Sequence, residues 1–201
     1  RDVVLCLGYQ AQQVHAELAR IGAAGWVTTI VNPDYEQGSV VSLWTVREHL
    51  DPVAGAIVMD ADVLYGRGLL ERLAGSRHEN CFLLDREFEP GEEPVKLCVR
   101  GQVLVEFRKR LAPDLSYDYC GESIGFFRFG GAMAARLAAS VDAYRDTGRG
   151  EEPHEEAIRD LLLESPGEFG FEDVTGMPWT EIDFERDVVR AQNQILPLID
   201  E

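Results

Sequence analysis

Lysine is almost missing from this 201-residue chain: of its 19 basic residues only Lys96 and Lys109 are lysine, against 36 acidic ones. No cluster of Lys or Arg forms a stripe that could follow a phosphate backbone, which argues against nucleic acid as a partner. The formal net charge of −17 also repels phosphorylated small molecules unless a divalent cation or a local basic pocket intervenes. A lysine kept in so arginine-biased a chain hints that a compact, mobile point charge is wanted there. No apolar run approaches the roughly 18 residues that span a bilayer, and the N-terminus shows no signal peptide, so the expected location is the cytoplasm. Cys6, Cys81, Cys98 and Cys120 form no CxxC pair and read as free, buried thiols of a reducing compartment. The histidines at 15, 49, 78 and 154 show no constellation with a Ser or Cys nucleophile, which disfavours a Ser-His-Asp hydrolase.

What is present is an alternation of strand and helix patterns. The run DVVLCL ending at Gly8 reads as a buried strand. Ala11, Val14, Leu18 and Ile21 recur at helical spacing, and VTTIV follows, which completes a strand-helix-strand unit. The turn-rich loop NPDYEQG leads to Ser39, a candidate helix cap, and to a helix carrying Val40, Leu43, Trp44 and Val46. An apolar strand then runs into Asp60, followed by a helix at 68–74 and the strand CFLLD, so this half predicts a doubly wound α/β arrangement. After residue 90 the rhythm changes. PVKLCVR and QVLVEFR predict a hairpin joined by an Arg-Gly turn, and SIGFFRF a further strand. Helices at 131–146 and 154–164, short strands in FGFEDVTG and MPWTEIDF, and a closing helix in FERDVVRAQNQIL complete the chain.

The carboxyl ends of strands in an open α/β sheet border the ligand crevice, and Asp60 and Asp62 fall at such an end. Residues i and i+2 of an extended segment point to one side, so both carboxylates could face one Mg²⁺ together with phosphate oxygens, unless they simply terminate a strand. Glu181 and Asp183 in WTEIDF share a face in the same way, with N-capping of the last helix as the alternative role for Asp183.

Taken in order, VVLCLGYQAQQV, VNPDYEQGSVVSLW, IVMDADVLY, EPVKLCVRGQVLVEFRK, GESIGFFRF and MPWTEIDFERDVVRA resemble the bacterial phosphocholine cytidylyltransferase-like nucleotidyltransferases, relatives of the sugar-1-phosphate nucleotidyltransferases. The resemblance covers nearly the whole chain. It implies a Rossmann-like, GT-A-like three-layer α/β fold with a mixed sheet and an α+β acceptor lobe. The expected organisation is one domain over 1–201, with 1–90 as the nucleotide-binding half, incomplete at its N-terminus, and 91–201 as the acceptor half and closing helix. It implies Mg²⁺-dependent transfer of CMP from CTP to a small phosphorylated or phosphonate alcohol, phosphocholine-like, with release of pyrophosphate. Asp62 and Asp183 would bind the metal, with Asp60 ranked behind them. Lys96, and less strongly Lys109, match positions from which a lysine reaches the phosphates. A homodimer is left open.

On the acceptor side, Tyr117, Tyr119, Glu122, Trp179 and Glu181 suggest an aromatic and acidic pocket suited to a cationic head group such as choline, with strand packing as the plainer alternative. Tyr9, Asn32 and Tyr35 lie at or just beyond the ends of the first two strands, and Gly8 would admit close approach of a base or ribose. The chain departs from the family at one point. The first strand and glycine-rich phosphate loop have no counterpart before Arg1, and incomplete coverage of a longer protein is the expectation. Two other readings stay open: a nucleotide-sugar glycosyltransferase, which also uses DxD, and a non-catalytic binding subunit that has lost the triphosphate loop.

Overall fold

The computed structural model describes residues 2–88, 91 and 93–199. Strand β1 (Val3–Leu7), helix α1 (Ala11–Arg20) and strand β2 (Val27–Val31) form the expected unit, with β1 and β2 parallel and in register from Val3↔Val27 to Leu7↔Val31. The less exposed positions of α1, Ala11, Val14, His15 and Leu18, are the stripe that the periodicity marks.

Helix α2 (Ser39–Thr45) follows the NPDYEQG loop, and the chain divides into two compact units. The first comprises Arg1–Gly55 with Gly131–Leu161, the second Ala56–Gly130 with Leu162–Glu201. Strands on both sides of residue 90 pair in one sheet, so pairing cuts across the sequence midpoint.

In the first unit α2 buries Val40, Val41 and Leu43. Helix α4 (Gly131–Asp146) buries Met133, Ala134, Leu137, Val141 and Tyr144, positions that fall on one face of a 3.6-residue period. The two helices are linked by polar groups as well. Trp44 Nε1 donates to Asp142 Oδ1 at 2.9 Å, and the guanidinium groups of Arg47 and Arg145 lie over the Trp44 ring. The loop before α2 is clamped by Arg145, which donates to Asp34 at 2.7 Å and to Gln37 at 3.1 Å.

The second unit is built on a mixed sheet. Its strands are β3 (Ala56–Met59), β5 (Asn80–Asp85), β6 (Lys96–Arg100), β7 (Val103–Arg108), the long β8 (Tyr119–Phe129) and β9 (Phe169–Asp173). The order is β7-β6-β8-β5-β9, and β3 also pairs with β8. The β6–β7 hairpin turns at Gly101, whose φ of 64° suits glycine. Two short strands, β4 (Val63–Tyr65) and β10 (Trp179–Glu181), make a separate antiparallel ribbon. Helix α3 (Arg67–Gly75) packs Leu69 and Leu73 into a core with Cys81, Leu83, Ile124 and Phe126. After α5 (His154–Glu164) and β9, the closing helix, α6 (Glu185–Arg190), passes through a π turn at Ala191–Ile195 into α7 (Leu196–Ile199).

Strand β8 is the middle strand of that order, and it buries Ile124, Phe126, Phe127 and Phe129. One edge of it carries β5, antiparallel, and β5 in turn pairs parallel with β9, so the sheet is mixed as expected. Its other edge is shared: β3 pairs with residues 126–129 and β6 with residues 119–122. Among the described residues, no helix is long and apolar enough to cross a membrane.

An aromatic cluster holds this sheet. Phe82 meets Phe107 at 5.2 Å and Phe127 at 5.3 Å between ring centroids, with edge-on geometry in both cases, the arrangement that ring quadrupoles favour. All three are at most 1% exposed. Phe82→Ala is expected to lower unfolding stability by about 3–5 kcal/mol, read as a shift of the urea midpoint at an unchanged slope.

Candidate active site

The site grows from the place where β8 changes partners. Strand β3 ends at Met59, opposite Phe126, and β6 takes over from residue 122. Between them Gly125 adopts φ 74°, and its carbonyl accepts the N–H of Asp60 at 3.0 Å. A Cβ at Gly125 would collide with Asp60 Oδ2. The glycine is thus required twice, by its backbone conformation and by the carboxylate seated against it. An isolated glycine inside SIGFFRF is the sort of signal that marks such a close approach.

The chain bends at residues 61–62 before β4 begins, so the alternation of an extended strand is broken. Asp60 turns towards Gly125, whereas Asp62 joins two acids from the other end of the chain. The β4–β10 ladder pairs Val63 with Glu181 and Tyr65 with Trp179, and the Ile182 N–H then donates to the Asp62 carbonyl at 2.9 Å. Where this ribbon opens, carboxylate oxygens of Asp62, Glu181 and Asp183 lie within 4.8 Å of one another. The alternative role for Asp183 as a helix cap is not what the structure shows. The cap residue of α6 is Phe184, and the Asp187 side chain accepts the N–H groups of Phe184 at 2.8 Å and Asp183 at 3.2 Å. The Asp183 carboxylate is therefore not spent on capping.

Burial and the crowding of like charges act together on these acids. Burial first, then Asp183, Asp62, Glu122 and Asp60, push the Glu181 carboxyl up from 4.5 to about 7. Asp183 is raised by burial and by Asp62 and Asp187, with Lys109 opposing. Three converging carboxylates, those of Glu181 and Asp183 with raised proton affinity, suit a hard divalent cation, which would be held by Asp62 and Asp183 with Glu181 beside them.

The other candidate residues are placed as follows. Lys96 lies opposite Glu122 in the β6–β8 register. Its Nζ donates to the carbonyls of Gly91, Pro94 and Lys109 at 2.9, 3.1 and 2.9 Å, so a phosphate would have to replace one of them. Lys109 pairs with Glu93 at 3.2 Å. Trp179 is half-buried, and its Nε1 donates at 2.7 Å to the buried Asp85. Tyr119 carries the Arg86 guanidinium 4.7 Å above its ring centroid. Neither Asp85 nor Arg86 stands out in the sequence, because Asp85 ends the strand CFLLD and Arg86 follows it as ordinary strand-end polar residues.

In the first unit Tyr9 is 72% exposed, and its ring centroid is 6.4 Å from that of Tyr35. Gly8 is packed against the Tyr35 side chain, so the close approach it permits is filled from within the chain. Asn32 is buried. Its Oδ1 accepts the Asp34 N–H at 2.9 Å and its Nδ2 donates to Ser42 at 3.1 Å, which makes it the organiser of its own loop. Ser39 does not cap α2. Its hydroxyl accepts the N–H of His154 at 2.9 Å and lies 3.0 Å from His154 Nδ1. A Ser–His contact thus exists that sequence spacing hides, since the two residues come from distant segments.

With this geometry in view, comparison with known proteins shows a fold shared with solved nucleotidyltransferases, as the ordered motifs imply. No family model matches the chain. Among solved structures, the CTP:phosphocholine cytidylyltransferase of Streptococcus pneumoniae superposes with a TM-score of 0.71 at 18% identity, covering 97% of this chain and 78% of that one. The inositol-1-phosphate CTP transferase of T. maritima gives 0.72 at 16% identity, covering 98% and 76%. A bifunctional IPC transferase and DIPP synthase of Rubrobacter xylanophilus is 24% identical over 198 residues. These are 97% of this chain but 42% of the relative, so the chain spans less than half the length of that protein.

Between pH 4.5 and about 7 the folded, metal-free chain holds a proton on Glu181 that the unfolded chain releases, so this group's contribution to stability falls as pH rises through that window. A divalent cation competes with that proton. The rise in Tm caused by Mg²⁺ should therefore be larger at about pH 8 than at about pH 6, and a pH-independent rise would contradict the assignment. Gly125→Ala should lower Tm and shift Asp60, seen as chemical-shift changes at residues 59–63; a Tm and spectrum equal to those of the parent would show that the site tolerates a Cβ.

Proposed function

We propose that this chain transfers a cytidylyl group from CTP to the phosphate of a small phosphorylated alcohol and releases pyrophosphate. The observation that carries the reading is the convergence of Asp62, Glu181 and Asp183 in a fold shared with CTP-dependent transferases. In the reaction an acceptor phosphate oxygen attacks the α-phosphorus, a P–O bond forms in line, and the bond to the β-phosphate breaks with pyrophosphate as leaving group. Bound Mg²⁺ would neutralise the repulsion between the two phosphates and the charge that develops on the leaving group. Asp62 and Asp183 position that charge, and Lys109 supplies positive potential on the Asp183 side. No protein nucleophile is needed, because the acceptor phosphate is already ionised at neutral pH.

The acceptor is better matched by a phosphorylated polyol than by phosphocholine. Arg86 already places a cation on the face of Tyr119, and the Trp179 indole nitrogen is engaged by Asp85. A quaternary ammonium would meet a guanidinium where the aromatic reading offers a bare ring, whereas hydroxyl groups can use the carboxylates of Glu122 and Glu181 as acceptors. The inositol-phosphate substrate in the name of one structural neighbour agrees with this choice.

The test is pyrophosphate release from CTP with inositol 1-phosphate and with phosphocholine, on the full-length protein. The polyol phosphate should give the higher kcat/KM, and Asp62→Asn or Asp183→Asn, still folded, should lower it about 100-fold or more. Wild-type turnover in both variants would remove the reading, and a preference for phosphocholine would remove the acceptor assignment alone.

A further inference from the structure

Strands β6 and β8 set two cysteines directly across from each other. Cys98 and Cys120 are register partners in this antiparallel pair. The Ser123 N–H donates to the Val95 carbonyl at 2.8 Å in the same register, which makes 95/123 a hydrogen-bonded pair and, three positions along, 98/120 a non-hydrogen-bonded one. Opposed residues of that type have Cα atoms about 4.5 Å apart and side chains on one face. A disulfide spans Cα separations of about 4.4–6.8 Å. Both cysteines are free thiols; Cys98 is fully buried and Cys120 is half-buried.

We propose that Cys98 and Cys120 are a reversible dithiol modification site, closed to a cross-strand disulfide by small-molecule disulfides such as oxidised glutathione. The asymmetry of exposure orders the steps. The Cys120 thiolate attacks one sulfur of the oxidant, forming a mixed disulfide and releasing one glutathione thiolate. Cys98 then loses its proton and attacks Cys120 Sγ, which expels the second glutathione. Two protein thiols are oxidised by two electrons, the oxidant is reduced to two thiols, and the protons of Cys98 and Cys120 pass to the departing thiolates. Burial, then Cys120 and Glu106, push the Cys98 thiol up to about 12, so the second step is the slow one, and the buried thiol is protected from direct oxidation.

The location gives the site a consequence. Lys96 and Glu122 are the next pair on the same face of the same two strands, since residues two apart point to one side. Tyr117 is coupled to the pair as well, its hydroxyl proton held more tightly by Cys120, burial and Cys98. Cys98 also sits where the β6–β7 register shifts. Closing the disulfide fixes β6 against β8 at this irregular point and restricts the adjustment of Lys96 and Glu122; that part of the proposal rests on the nucleotidyl-transfer reading.

The experiment treats the full chain with oxidised glutathione, alkylates the remaining thiols after denaturation, and maps the peptides without reduction. Four alkylatable thiols should fall to two, with residue 98 linked to residue 120 and the link undone by dithiothreitol. Cys120→Ser, at a half-buried position, should abolish it, and Cys6→Ser should leave it. A mixed disulfide that persists at Cys120 with no link, or four thiols still alkylated, would overturn the site. On the same preparations, oxidation should lower pyrophosphate release several-fold in the parent and not in Cys120→Ser. An unchanged rate with the link mapped would overturn the coupling to the site, while activity of the reduced parent separately upholds the transfer reading.

Discussion

The short ladder between β4 and β10 is the constraint on which the candidate site depends. Three cross-strand pairs and the bond from Ile182 to the Asp62 carbonyl join an early segment to a late one. The acids they bring together repel one another, and burial with that repulsion raises the proton affinities of Glu181 and Asp183. Backbone hydrogen bonds and the packing of Tyr65 and Trp179 against the core formed by Leu69, Leu73 and Phe126 offset that repulsion. The cluster is therefore held by groups that do not themselves bear its charge, a common way for a fold to retain a costly constellation.

A second constraint lies in β8. By giving one edge first to β6 and then to β3, it creates a gap in which Gly125 and Asp60 fit together. Strand ends in a continuous sheet would leave Asp60 and Asp62 side by side. At the gap the Asp60 N–H bonds the Gly125 carbonyl, and after the bend the Asp62 carboxylate lies with those of Asp183 and Glu181.

Much of this is legible in the sequence, for physical reasons that differ by element. The strand-helix-strand unit, the hairpin around Gly101 and the helices at 131–146 and 154–164 carry strong periodic or turn signals, and each is found. The pairing of Asp62 with Asp183 follows from the ordered motifs. What the sequence hides is long-range pairing. Nothing local shows that β8 is the central strand, that the unit boundaries fall at Gly55, Gly130 and Leu161, or that Ser39 is drawn to His154 in place of capping its own helix. The aromatic pocket reads differently for the same reason: the partners of Tyr119 and Trp179 are Arg86 and Asp85, which lie far from them along the chain.

The central claim is that Asp62 and Asp183 hold the divalent cation at which nucleotidyl transfer takes place. An anomalous difference map from crystals grown with CTP and Mn²⁺ tests it most directly. The account predicts a manganese peak ligated by Asp62 and Asp183, with Glu181 at its edge and nucleotide phosphate on its open side. Bound CTP with manganese ligated elsewhere, or with no peak at these acids, would contradict it.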